Sequence, residues 1–351
     1  MDESDFVWLF AFFGFTFGLS LAISWILTRC YIRVARDFGL IDQPSERKDH
    51  EQPTPTGAGL VIYLAIAFLA FLGHPRLWTA QFLFGGLIVI IGLIDDIRHV
   101  PAQLRLVVHG FITVPAVLLA IPSARWEIQA GACFWVLVLT HAFNFIDNMD
   151  GLCAGVSWIL AACMVARSVL LGTEHSVLGR VDATLTSPHL LMLIGALTGF
   201  LWYNRPPARV FMGDAGSTFI GFFLGVASVP QFVDGEQMQG LSADWLALLC
   251  MFSLPIYDLF SVASMRVWQR RGLFVSDRNN LSHRLVALGF TSTRAVMLLW
   301  LLAVVGGVGG LLLYVVPEPV QTILGVAQLA CWWIGLPVIE YVAHRRRNAR
   351  G

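Results

Sequence analysis

The chain has 351 residues, of which 57% are hydrophobic and 13% charged, and its 23 basic and 23 acidic side chains cancel to a net charge of zero. Soluble domains carry roughly 25% charged residues, so the composition excludes an ordinary soluble domain and predicts an all-α, polytopic integral membrane protein. No nucleic-acid partner is expected. The six cysteines (Cys30, Cys133, Cys153, Cys163, Cys250 and Cys331) form no CxxC pair and fall mostly in apolar runs. They read as small membrane-buried residues rather than as disulfides or zinc ligands.

Eleven apolar windows follow in order, at about 6–27, 57–72, 79–94, 104–121, 131–146, 153–171, 190–203, 216–233, 243–263, 295–316 and 319–341. The N-terminal MDESD is acidic and lacks the basic flank of a secretory signal, so 6–27 is expected to be a retained first span. An odd count places the termini on opposite sides. The loops after spans 1, 3, 5, 7 and 9, together with the C-terminus, hold 19 of the 23 Lys and Arg residues. By the positive-inside rule the N-terminus is expected outside and the C-terminus in the cytoplasm, with the protein in the cell (inner) membrane. Arg167 lies near the end of its span and can snorkel. The run Gly306 to Gly310 has small-residue spacing suited to close helix packing.

The polar motifs fall on the side assigned to the cytoplasm. The first loop, 28–56, carries Asp42, then Arg47, Lys48 and His50 ahead of PTPTGAG, so Lys48 is a candidate for holding an anionic ligand; basic residues are also expected at any cytoplasmic helix end. Span 3 ends at Asp95 and Asp96. Adjacent carboxylates repel, and a divalent cation, a proton or plain solvation relieves them. HAFNFIDNMDGL sets Asn144, Asp147 and Asp150 three residues apart, on one side of a helix, or else forms a polar cap and turn. In FMGDAGSTFIG, Asp214 opens a helix. It is a candidate metal ligand beside free N–H groups that would suit a phosphate, and simple N-capping by Asp214 or Ser217 is the other reading. The segment 264–294 contains SDRNNLSHR, in which Asn280, Ser282, His283 and Arg284 suit phosphate and sugar contacts. Carboxylates, a divalent ion and basic side chains on one membrane face are what transfer of a phosphoryl-linked group requires.

The aspartate pair at Asp95/Asp96, NFIDNMDGL at Asn144 to Leu152 and FMGDAGS at Phe211 to Ser217 together resemble the signatures of the polyprenyl-phosphate N-acetylhexosamine-1-phosphate transferases. The resemblance runs from about Asp42 to Arg284. It implies a Mg²⁺-dependent enzyme, with Mn²⁺ as a substitute, that joins a sugar 1-phosphate from a UDP-sugar to a polyprenyl phosphate and releases UMP. It implies Asp214 and Asp96 at the metal, Asp95 and Asp96 beside the lipid phosphate with Asp95 the proposed base, and Asn144, Asp147 and Asp150 positioning the nucleotide or diphosphate. His283 would contact phosphate. The loops at about 28–56, 95–103, 145–152, 204–215 and 264–294 would build the active site of a single domain, 1–351, with membrane lipids around it and a homodimer left open.

Two departures stand out. The family's DxxHxHHR reads DRNNLSHR here, so Asn280 and Ser282 replace histidines, and Asn148 stands where DGxDG has glycine. The resemblance is nearer the N-acetylglucosaminyl type than the alternative, phospho-N-acetylmuramoyl-pentapeptide transferase, whose loop carries a histidine triplet. A non-catalytic relative acting as a scaffold, or a transporter, are the other readings. Against a transporter, the charges cluster at one border, the spans are nearly free of them, and no inverted repeat is found.

Overall fold

The computed structural model describes residues 3–43, 52–73, 80–175, 182–232, 243–272 and 277–341. Lys48, the candidate for holding an anionic ligand in the first loop, lies outside the described residues. About 81% of the structure is helical. The helices are α1 (Glu3–Val34), α2 (Gly59–Gly73), α3 (Ala80–Arg98), α4 (Ala102–Ala120), α5 (Trp126–Ile146), α6 (Leu152–His175), α7 (Asp182–Asn204), α8 (Gly213–Ser228), α9 (Ala243–Met251), α10 (Ser253–Trp268), α11 (Leu281–Ala287), α12 (Ser292–Leu313) and α13 (Glu318–Ala330). The all-α expectation needs one amendment. In the first loop, β1 (Ile41–Asp42) pairs antiparallel with β2 (Thr54–Pro55), Ile41 opposite Pro55 and Asp42 opposite Thr54.

Each apolar window coincides with a helix, because an uncharged run in lipid satisfies its backbone only by coiling. Among the described residues six helices are long and apolar enough to cross a membrane: Phe13–Val34, Ala102–Ala120, Trp126–Ile146, Leu152–Leu170, Ser292–Leu313 and Glu318–Tyr341. The ninth window is a bent pair, Trp245–Met251 and Ser253–Trp268, meeting at 74°, and Gly59–Leu72 is a shorter apolar helix. The protein is a multi-pass membrane protein.

Helix α8 is the centre of the packing: every residue from Ala215 to Ser228 is buried. A helix apolar on all sides belongs in the interior, and α8 is enclosed by α2, α3 and α5. Phe82 of α3 meets Phe223 edge-on at 5.8 Å, and Tyr63 of α2 meets Phe219 at 5.4 Å. The first turn of α8 comes closer still. A Cβ on Gly59 of α2 would lie 2.0 Å from the Gly216 Cα, and one on Gly92 of α3 would lie 2.4 Å from the Ala215 Cα. No side chain fits at either crossing. Backbone bonds continue the contact, from Gly59 N to Met212 O at 2.9 Å, Ala58 N to Phe211 O at 3.2 Å and Phe211 N to Pro55 O at 2.7 Å. The loop before α2 and the loop before α8 are thereby zipped together.

Elsewhere α1 lies along α7. Ser20 Oγ donates to Met192 O at 2.6 Å and Ser24 Oγ to Ala196 O at 2.7 Å, the polar glue expected between helices in lipid. A Gly59→Ala change should lower the thermal unfolding midpoint in detergent, at a cost of about 1–3 kcal/mol for overpacking. Gly110→Ala, where a Cβ meets nothing within 4 Å, should leave the midpoint unchanged or raise it.

Candidate active site

The helix ends converge on a cavity of about 1940 Å³, lined by the C-terminal ends of α1, α3, α5, α7 and α10, the starts of α8 and α12, and the loops beside them. Asp95, Asp96, Asn144, Asp147, Asp150, Asp214, Asn280 and His283 all line it. Segments as far apart in sequence as 95 and 283 therefore share one chamber. Arg33, Arg36, Arg209, Arg271 and Arg278 line it too, giving it cationic as well as anionic walls.

The first turn of α8 supplies the tightest cluster. Gly213 is in the left-handed region (φ 71°), where a Cβ would lie 2.5 Å from Asp96 Oδ2. This lets the chain turn directly onto Asp96, whose two oxygens accept the N–H groups of Asp214 at 2.9 Å and Ala215 at 3.2 Å. The sequence suggests that these helix N–H groups face a phosphate or are capped from within the loop. Instead Asp96 caps α8 from α3, and neither Asp214 nor Ser217 caps it; Ser217 Oγ donates to Gly213 O at 3.0 Å. Asp214 accepts Asn144 Nδ2 at 2.8 Å on one oxygen and Arg105 on the other, and Arg105 also binds Asp95. Asn144 further donates to Ser217 Oγ at 3.1 Å.

The Asp147–Gly151 turn follows α5. Gly151 takes φ 72°, and its N–H donates to Asn204 Oδ1 at 3.1 Å, while Asp150 accepts Ala208 N–H at 2.8 Å. The turn is thus fastened to the loop before α8. Removal from bulk water, then the nearby charges of Asp96 and Asp150, push the Asp147 carboxyl up to about 8.

The last segment is held differently. Arg266 grips Asp277 with two bonds, 3.0 and 3.1 Å, and Asp258 accepts Asn280 Nδ2 at 3.0 Å and Leu281 N–H at 2.6 Å. Asn280 and His283 line the cavity, but Ser282 and Arg284 do not. Ser282 is buried and donates to Asn148; Arg284 turns to Ser261 Oγ at 3.0 Å and Glu340 at 3.4 Å.

Three residues of this architecture escape the sequence reading. Arg105 counts there only as an inner-side charge, although its place ten residues after Asp95 is a usable signal. Arg266 counts the same way. Asp258 lies inside the ninth apolar window, an exception to windows otherwise nearly free of charge; an isolated carboxylate in an apolar run is itself a pointer. Near Arg105, the His109 and His141 rings lie side by side, tilted by 38° with centroids 5.3 Å apart.

The carboxylates suit a hard divalent cation in chemistry, since Asp95, Asp96 and Asp214 offer only oxygen. Among the described residues no group of three or more acidic, His or Cys side chains is placed to hold a metal ion by itself. Mg²⁺ rarely uses one: it is commonly held by one or two carboxylates plus substrate phosphates. A carboxylate oxygen that accepts one hydrogen bond keeps a further lone pair, so Asp96 and Asp214 fit such an ion while keeping their present partners.

Comparison with known proteins places a membrane protein with this chamber among the transferases, and gives the family. The description "Glycosyl transferase family 4" matches residues 78–231, which include Asp95, Asp96, Asn144, Asp147, Asp150 and Asp214. The chain is also 33% identical to decaprenyl-phosphate N-acetylglucosaminephosphotransferase of Mycolicibacterium smegmatis, over 88% of this chain and 84% of the relative. It is 26% identical to undecaprenyl-phosphate alpha-N-acetylglucosaminyl 1-phosphate transferase of Escherichia coli K12, over 91% of each, and 24% identical to a probable enzyme of that kind from Bacillus subtilis, over 85% and 84%. The chain belongs to glycosyl transferase family 4, the polyprenyl-phosphate N-acetylhexosamine-1-phosphate transferases that its motifs resemble.

The raised Asp147 group makes a stability prediction. A carboxyl that binds its proton more tightly when folded favours the folded state at low pH and loses that advantage between the unfolded pKa, about 4, and the folded value. The wild-type unfolding midpoint should therefore fall as pH rises from 4 to about 8, and Asp147→Asn should flatten that part of the curve in a thermal-shift titration.

Proposed function

We propose that the protein transfers N-acetylhexosamine 1-phosphate, GlcNAc 1-phosphate in the first instance, from a UDP-sugar to undecaprenyl phosphate, releasing UMP. The reaction would begin cell-envelope polysaccharide synthesis. The observation that carries this reading is the single cavity lined by Asp95, Asp96, Asp147, Asp150 and Asp214 together with several arginines. Two polyanions have to be brought together there, and a lining of mixed charge both attracts and separates them. The names of the relatives, which specify N-acetylglucosamine and polyprenyl phosphates, favour this sugar over the muramoyl-pentapeptide substrate. With each of the eleven apolar windows counted as a crossing, the positive-inside pattern supports an N-terminus outside, so the cavity would face the cytoplasm, where UDP-sugars are made.

In the reaction a lipid phosphate oxygen attacks the sugar-bearing phosphorus, its bond to the UMP oxygen breaks, and UMP leaves. The second pKa of a phosphate monoester is about 6, so the nucleophile is already deprotonated at neutral pH and Asp95 need not act as a base. Its bond to Arg105 instead holds that guanidinium beside Asp214, where it balances the charge of the two carboxylates. Asp214 and Asp96 would hold Mg²⁺, or Mn²⁺ in its place, which would neutralise charge on the diphosphate. Asn144 fixes the orientation of Asp214. His283 lines the same cavity, where it would donate a hydrogen bond to phosphate, and Asp150 holds the loop at Ala208.

Purified protein given Mg²⁺, undecaprenyl phosphate and a panel of radiolabelled UDP-sugars should label the lipid and release UMP with UDP-GlcNAc. Failure with every UDP-N-acetylhexosamine would refute the reading. Asp214→Asn should abolish transfer while the protein remains folded, and full activity in that variant would remove Asp214 from the metal site. His283→Ala should slow turnover about 10²-fold or more, and an unchanged rate would move the phosphate contact elsewhere.

A further inference from the structure

Helix α11 spans seven residues, Leu281–Ala287, too few to hold a direction by its own hydrogen bonds. Its direction is set by what its side chains grip. Ser282 is 1% exposed, and its Oγ donates to Asn148 Oδ1 in the turn after α5. The orientation of the Asn148 amide is fixed in turn, since its Nδ2 donates to Phe145 O at 2.7 Å. A flipped amide would set oxygen against oxygen there and present N–H₂ to the Ser282 hydroxyl. Asn280 Nδ2 donates to the same Phe145 carbonyl at 2.9 Å, so the two loops meet at one acceptor. On the other flank Arg284 is engaged by Ser261 and Glu340 and lies over the Tyr257 ring, 5.9 Å from its centroid.

Successive residues on a helix point about 100° apart. With Ser282 and Arg284 pinned on different sides, one rotation of α11 remains, and it is the one that turns His283 into the cavity. We propose that Asn148 and Ser282 form a latch that sets this rotation and the distance from His283 to Asp147 and Asp150, making both of them positioning residues. The proposal rests on the transfer reaction above, in which His283 contacts phosphate. Both latch residues stand where this chain departs from the family pattern, and the structure puts the two departures in contact with each other.

The test uses the full-length protein in detergent, with Ser282→Ala, Asn148→Ala and the double variant. Ser282→Ala, which loses one hydrogen bond, should lower kcat about three- to tenfold, and Asn148→Ala, which also loses the bond to Phe145 O, by at least as much, with KM for UDP-GlcNAc unchanged in both. The double variant should be no slower than Asn148→Ala, because the contact that Ser282→Ala removes is already lost there. Amide hydrogen exchange, which does not depend on activity, should speed up across 281–287 in Asn148→Ala and across 145–150 in Ser282→Ala. Multiplying losses in the double variant, or exchange in the partner segment that stays at the wild-type rate, would overturn the latch. So would a drop in unfolding midpoint with kcat per folded molecule unchanged, which is a structural role alone. Should the wild type transfer no sugar phosphate, the functional reading fails by itself, and the exchange data still decide whether the two loops are coupled.

Discussion

The first turn of α8 reaches Asp96 because three helix backbones touch where side chains would keep them apart. Gly59 meets Gly216, Gly92 meets Ala215, and Gly213 takes a positive φ to pass Asp96. These contacts set where Asp214 lies relative to Asp95, Asn144 and Arg105. A buried central helix supplies a rigid platform, and the charged cluster is mounted on its N-terminal end, where two backbone N–H groups already favour a carboxylate. The chemistry of the cavity therefore depends on a packing contact more than on any single charged pair.

Around that platform the remaining segments are tied in by polar side chains as well as by apolar burial of residues such as Leu152, Val210 and Leu281. Asn204 links Gly151 to Val210, Asp150 takes the Ala208 N–H, Arg266 holds Asp277, and Asp258 holds Asn280 and Leu281. Each bond is modest, but each joins two segments at a membrane border where water and lipid compete for the same surface. The result is a chamber whose walls come from six or more parts of the chain and whose geometry survives only if most of these ties hold.

Much of this is legible in the sequence. The apolar windows mark the helices because a membrane leaves an uncharged run no other way to satisfy its backbone. Asp95, Asp96, Asn144, Asp147, Asp150 and Asp214 announce themselves as acidic or amide groups at the ends of such runs. The assignments that fail are of a different kind. Arg105 and Arg266 look like ordinary inner-side charges, because a positive residue near a helix end is expected whether or not it binds a carboxylate. Ser282 and Arg284 look like substrate contacts, yet their side chains turn away from the cavity. Which face of a seven-residue helix looks inward is decided largely by distant partners, in the case of Ser282 one more than a hundred residues away, and no local pattern encodes that. The pairing of Ile41–Asp42 with Thr54–Pro55 is hidden for the same reason.

Gly213 lines the chamber, and its main chain is part of the wall. A pocket wall made of peptide bonds at a position that admits no other residue cannot be remodelled by a single base change without collapsing the helix junction behind it. An inhibitor that reads those peptide groups, instead of the neighbouring side chains, would leave cells carrying this protein few routes to resistance at that contact.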